Sequence, residues 1–93
     1  MEEAEFFIKD GVLYKRRSDG KEYPASLDEA WNIAEMMLDE DCVFAYEILK
    51  WLTHGRLELL DDEYIEALLD CEELPKEEYN KIKMEAVRRG LMN

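Results

Sequence analysis

The 93-residue chain carries 24 Asp and Glu residues against 12 Lys and Arg residues, which gives a formal net charge of −12 at pH 7. The length fits a single domain, residues 1–93, and the 47% of hydrophobic residues exclude a chain that stays disordered for lack of a core. The charge balance argues against direct binding to nucleic acid or to an anionic membrane surface, because both require clustered Lys and Arg. No stretch approaches the roughly 18 apolar residues that span a bilayer.

The first 25 residues predict β-structure. In EFFIKDGVLYKRRSDGKEYP, the dipeptide Asp10-Gly11 separates two β-prone runs, which is a strong signal for a two-residue hairpin. A second turn at residues 18–20 leads into a short edge strand over residues 21–24, which the proline ends. We therefore predict a three-stranded antiparallel β-meander over this segment, residues 1–25.

Residues 26–93 predict about four short α-helices. Ser26 and Glu29 match the capping box, in which the Ser side chain accepts from the Glu backbone amide and the Glu side chain accepts from the Ser amide. The first helix therefore begins here and runs to about residue 39. Apolar periodicity predicts three more helices, over residues 41–55, 61 to 71–73, and 75–89; Asp61 is an N-cap candidate for the third, and Pro75 suits the first helical position of the fourth. The predicted fold class is α+β in one domain.

The second predicted helix is apolar around most of its circumference, with only Glu47, Lys50 and His54 forming a narrow polar side. A helix of this kind lies at the centre of its domain. We therefore expect four of its side chains to be largely buried, with Trp31 packed near them: Phe44, Ile48, Trp51 and Leu52.

Two cysteines, Cys42 and Cys71, permit at most one disulfide. Free cysteine is among the most buried residue types, and the acidic start MEEAEFFIKDG does not resemble a signal peptide. We therefore expect a reducing cytoplasm and two free thiols. With His54 they offer three soft ligands, whereas a structural zinc site uses four, so no metal and no cofactor are expected. The sequence also lacks a Walker loop and a G-x-S-x-G motif, and no enzymatic activity is expected.

Negative charge is concentrated between residues 22 and 79, which hold 18 acidic and 3 basic residues. On the third predicted helix, at 100° per residue, five carboxylates fall on one side, and i,i+4 members rise roughly 6 Å per step. That spacing is of the same order as the spacing of phosphates along a nucleic-acid strand. This acidic stripe is either a solvated face that keeps the protein soluble or a binding site for a basic partner. Its members are Asp62, Glu63, Glu66, Asp70 and Glu73.

Two resemblances accompany these patterns. The stretch FFIKDGVLYKRRSDGKEYP resembles the hairpin that opens the zinc-binding domain of retroelement integrases, where a similar D-G-x-L-Y-R-R segment leads to a proline. It covers about 19 residues, and the His/His/Cys/Cys ligands of that family have no counterpart downstream, so no function is carried over. In size, acidity and α+β composition the chain also resembles small phage-encoded inhibitors such as anti-CRISPR proteins.

These observations favour a small acidic inhibitor or regulator that acts as a DNA mimic. It would occupy a basic, nucleic-acid-binding surface of a larger protein, as a monomer or a homodimer. The alternative is a structural or adaptor subunit that forms a homo-oligomer through an apolar helix surface, with Ile33, Met36 and Met92 exposed. Salt distinguishes the two, because contacts between exposed charges weaken with ionic strength and an apolar interface does not.

Overall fold

Three strands and four α-helices follow one another along residues 5–92, the part of the chain that the computed structural model describes. This is the predicted α+β fold; the ends of the predicted domain, residues 1–4 and 93, lie outside the described residues. One short 3₁₀ turn, Leu57–Leu59, has no counterpart in the sequence prediction. The elements are β1 Glu5–Lys9, β2 Val12–Arg16, β3 Glu22–Pro24, α1 Leu27–Glu40, α2 Cys42–Thr53, α3 Asp62–Leu69 and α4 Lys76–Arg88.

The strands form one antiparallel sheet in the order β1-β2-β3, as predicted. Asp10 and Gly11 join β1 to β2 with φ values of 54° and 78°, and a two-residue type I′ turn requires positive φ at both positions. The turn sets a register in which Ile8 lies opposite Leu13. Leu13 is fully buried and Ile8 packs against the same core, so this face of the hairpin covers the helices.

The start of α1 has the predicted capping box. The backbone N–H of Glu29 donates to Ser26 Oγ, and the backbone N–H of Ser26 donates to Glu29 Oε1, each at 3.2 Å. Asp41 ends α1 and also caps α2, because its Oδ1 accepts from the backbone N–H of Phe44 at 3.2 Å. With a single residue between them, α1 and α2 fold back on each other and form the most extensive helix contact in the molecule.

The central position predicted for α2 is confirmed, but its most buried side chains are only partly those expected. Ile48 is fully buried, as are Tyr46 and Leu49, whereas Phe44 and Trp51 are half-buried. At 100° per residue, Phe44 and Trp51 lie on the side of α2 away from the buried face, where the rest of the chain covers them incompletely. The half-buried Leu52 lies closer to the buried face, and Trp31 packs against the same core.

The two cysteines form a disulfide, so the prediction of two free thiols is wrong. Cys42 is the first residue of α2 and Cys71 follows the end of α3, and their Cα atoms are 5.9 Å apart, within the range that a disulfide spans. They are 29 residues apart in sequence, and α1, which packs against both α2 and α3, brings them together. The spacing of the two cysteines in the sequence does not indicate that they are close in space.

Helix α3 ends at Leu69, earlier than predicted, and the chain then turns into α4. At the far end of α4, Arg89 ties the two helices together. Its Nη1 donates to Asp62 Oδ1 and its Nη2 donates to the backbone carbonyl of Leu57, each at 3.0 Å. Its Nε donates to Glu85 Oε2 at 2.6 Å. Among the helices described, none combines the length and apolar character that crossing a membrane requires.

Candidate functional site

Two helices that contain no Lys or Arg lie side by side at the surface. The sequences of α1 and α3 hold acidic residues but no basic ones, and the two helices pack together through the rings of Trp31 and Tyr64, whose centroids are 5.8 Å apart. Burial raises the pKa of the Tyr64 phenol, and the charges of Glu35, Asp61 and Glu63 raise it further. The charges of carboxylates from both helices therefore affect the same group, the Tyr64 hydroxyl.

Four members of the acidic stripe share one side of α3, as the helical projection predicts. Asp62, Glu63 and Glu66 are exposed on the helix, and Asp70 follows it with φ and ψ still in the right-handed helical region. Glu73 is different. Because α3 ends at Leu69, the projection does not extend to Glu73, which lies in the following turn.

Most of the stripe carries uncompensated charge. Asp62 pairs with Arg89, but none of the other four members forms an ion pair within residues 5–92. The basic residues of the sheet pair with acids elsewhere; Lys15 Nζ, for example, lies 2.8 Å from Glu29 Oε2. We use the name acidic face for the exposed carboxylates that α1, α3 and the residues flanking α3 present together: Glu35, Asp39, Asp61, Glu63, Glu66 and Asp70.

A cleft of about 480 Å³ opens between the end of α1 and the end of α3. Its wall contains both bridged cysteines and the acidic residues Asp39, Asp70 and Glu73, and none of the described residues that line it is Lys or Arg. Glu73 Oε2 lies 3.4 Å from Cys42 Sγ and 3.8 Å from Cys71 Sγ. Neither sulfur carries a hydrogen while the bridge is formed, so these are close contacts and not hydrogen bonds. The turn after α3 thus places a carboxylate directly against a disulfide.

His54 lies far from Cys42, although the sequence analysis considered it together with the two cysteines as a possible metal ligand. His54 caps the C-terminal end of α2 in the left-handed conformation, whereas Cys42 begins the helix. A 12-residue helix is about 18 Å long, so the histidine cannot share a ligand with Cys42. The residue that does join the cysteines, Glu73, had no sequence signal beyond lying two positions after Cys71.

The chain matches no protein-family model, no curated protein and no solved structure. What the arrangement can do chemically follows from its charge: a face of unpaired carboxylates attracts cationic groups and repels phosphates. Steering of this kind raises association rates and depends on ionic strength.

Proposed function

We propose that this protein is a small, non-enzymatic inhibitor or regulator that occupies a basic, nucleic-acid-binding surface of a larger protein through its acidic face. The supporting observation is the side-by-side packing of α1 and α3, two helices without a single Lys or Arg. Apart from Glu29, which is half-buried and pairs with Lys15, their carboxylates are exposed. Within the described part of the chain, Asp62 is the one member of the stripe that an ion pair neutralises.

Charge mimicry explains why so much like charge is kept on one surface. Like charges at i,i+4 destabilise a helix by roughly 0.2–0.5 kcal/mol per pair. Arg89 offsets the charge of Asp62, but Glu66 and Asp70 form no ion pair within residues 5–92, so their repulsion weakens the end of α3. A binding role would account for this destabilisation. Carboxylates at i,i+4 positions rise about 6 Å per step along the helix, a spacing comparable to that of phosphates on one nucleic-acid strand. A basic groove that accepts nucleic acid would accept such a row.

The test is capture of the partner with a variant that reverses charge on both helices. Glu35→Lys/Glu66→Lys changes one exposed carboxylate on α1 and one on α3, neither of which forms an ion pair with any described residue, and it leaves the Asp62–Arg89 pair intact. Tagged wild-type protein should capture a basic nucleic-acid-binding protein from extracts of the source cells, and the double variant should not. Added DNA should compete for the captured partner, and capture should fall steeply as salt is raised.

A matched control carries the same change in net charge at a different place. Glu47→Lys/Glu58→Lys alters two acidic residues outside the acidic face, on α2 and in the 3₁₀ turn. It also removes their ion pairs with Lys50 and Arg56, so it is the more disruptive of the two variants. It should capture the partner as the wild type does. Equal capture by the Glu35→Lys/Glu66→Lys variant would show that the acidic face is only a solvated surface.

The alternative, a subunit that forms a homo-oligomer through apolar surface, is supported by a different observation. Met84 and Val87 lie at i,i+3 spacing on α4 and are 71% and 51% exposed. Of the three contact residues expected from the sequence, Met36 is exposed, whereas Ile33 and Met92 are half-buried against the core. Sedimentation equilibrium at low and high salt tests this alternative, because an apolar dimer persists at high salt and Met84→Lys would disrupt it.

A further inference from the structure

We propose that Cys42, Cys71 and Glu73 form a zinc-binding site when the disulfide is reduced, so that the cleft exchanges a covalent bridge for a metal bridge. The cleft adjoins the acidic face and shares Asp39 and Asp70 with it, but the three ligands lie outside that face, and zinc binding does not depend on the proposed partner. The three side chains come from two separate places in the sequence, and the fold brings their ligand atoms within 4.8 Å of one another.

The geometry suits a tetrahedral metal. Two thiolates at the Zn–S distance of 2.3 Å are about 3.8 Å apart in tetrahedral coordination, so the sulfurs must separate after the bridge is broken. The Cα atoms of Cys42 and Cys71, 5.9 Å apart, leave room for this by rotation of the side chains alone. Glu73 Oε2 already lies beside both sulfurs and supplies a third ligand. The fourth position faces the open cleft, which admits water.

The negative charge of the reduced cleft favours a bound cation. The reduced site holds two thiols and a carboxylate. Within residues 5–92 the same cleft is lined by Asp39, Asp41 and Asp70 and by no basic residue. The N-terminus of α2, where Cys42 is the first residue, favours a thiolate. Among the other described residues that line the cleft, none carries a positive charge that would offset two thiolates. A divalent cation does so, and thiolate ligands select Zn²⁺ over the hard cations Ca²⁺ and Mg²⁺.

The chemistry balances with a dithiol as reductant. The Cys42–Cys71 bond accepts two electrons and two protons from the dithiol, which becomes a disulfide, and two thiols form on this chain. Each thiol then loses its proton to solvent as Zn²⁺ binds. In the reverse sequence zinc leaves and the two thiolates take up two protons from solvent. The resulting thiols pass two electrons and two protons to an oxidised dithiol, which becomes a dithiol, and the Cys42–Cys71 bond forms again. The site therefore takes up zinc under reducing conditions and releases it under oxidising ones.

The experiment compares zinc uptake by oxidised and reduced protein. After reduction with a phosphine and removal of oxygen, titration with Zn²⁺ against a chromophoric chelator should show one ion bound per chain, with no comparable uptake by the oxidised form. Titration with Co²⁺ should produce thiolate-to-cobalt charge-transfer absorption. Glu73→Gln should weaken zinc binding by at least the roughly 10–100-fold that loss of an outer-shell partner costs. Glu72→Gln, which changes the neighbouring exposed carboxylate, should leave binding unchanged.

Three outcomes would overturn the proposal. Reduced wild type could bind zinc no more tightly than oxidised protein. A Cys42→Ser/Cys71→Ser variant could bind as tightly as the wild type, which would assign the zinc to carboxylates alone. Glu73→Gln and Glu72→Gln could also weaken binding equally. Circular dichroism monitors folding throughout: zinc should raise the Tm of the reduced protein, because binding energy then appears as folding energy, and an unchanged Tm would count against the site.

Discussion

Reduction of the Cys42–Cys71 bond should lower the free energy of unfolding by several kcal/mol. A disulfide restricts the unfolded chain, and the restriction grows with the length of chain between the cysteines. For a sequence separation of 29, the loop-entropy relation gives about 3.5 kcal/mol at 25 °C. In a domain of this size, that corresponds to a decrease in Tm of roughly 15–25 °C. The effect is large for a protein whose total stability is on the order of 5–15 kcal/mol.

Urea denaturation followed by tryptophan fluorescence measures this difference. The oxidised protein should show no free thiols before denaturation, and its midpoint should fall when a phosphine reductant is added. EDTA is present in both samples, so that metal uptake by the reduced form does not restore stability. The Cys42→Ala/Cys71→Ala variant is the control, because its midpoint should not respond to reductant at all.

An unchanged midpoint after complete reduction would contradict the expected stabilisation by the bridge. The bridge would then contribute nothing by constraining the unfolded chain, or it would not form. Two reactive thiols in protein purified without reductant would identify the second case. A shift of the same size in the cysteine-free variant would show that the reductant acts elsewhere.

Two further predictions concern the core and the C-terminal helix. Ile48→Ala should lower the free energy of unfolding by about 2–5 kcal/mol. Because Trp51 is half-buried, Trp51→Ala should lower it by less than truncation of a fully buried aromatic side chain does. Equal stability of Ile48→Ala and wild type in urea would contradict the packing of α2. Hydrogen bonds from Arg88 and Arg89 lower the pKa of Glu85 from 4.5 to about 2. The stability that Glu85 contributes is therefore complete above pH 4.5 and is lost as the pH falls toward 2. The Tm values of Glu85→Gln and wild type should accordingly converge at low pH. A difference in Tm that stays constant with pH would count against these contacts.

Features that depend on a few neighbouring residues could be predicted from the sequence. The hairpin at Asp10-Gly11 requires only two residues that tolerate positive φ. The cap at Ser26 and Glu29 joins residues three positions apart, and Asp41 caps α2 over the same distance. In each case the physical interaction is complete within one turn of the chain, so the local sequence contains it.

Features that depend on packing could not be predicted in the same way. Cys42 and Cys71 meet because α1 packs against both α2 and α3, and nothing within reach of either cysteine in sequence indicates the other. The pairing of Asp62 with Arg89, 27 residues away, likewise requires α4 to lie beside α3. The acidic stripe could be identified from helical spacing, but the addition of Glu35 from α1 required the Trp31 contact that aligns the two helices.

The disulfide also closes residues 42–71 into a covalent ring that contains α2, the 3₁₀ turn and α3. The sheet and α1 precede the ring, which begins at Cys42, and α4 follows its end at Cys71. The exposed segment at residues 54–56 lies inside the ring, so a protease that cuts after Arg56 opens the ring without releasing either half. A nicked molecule would keep its acidic helices joined for as long as its surroundings stay oxidising, and the two halves would be free to separate on reduction.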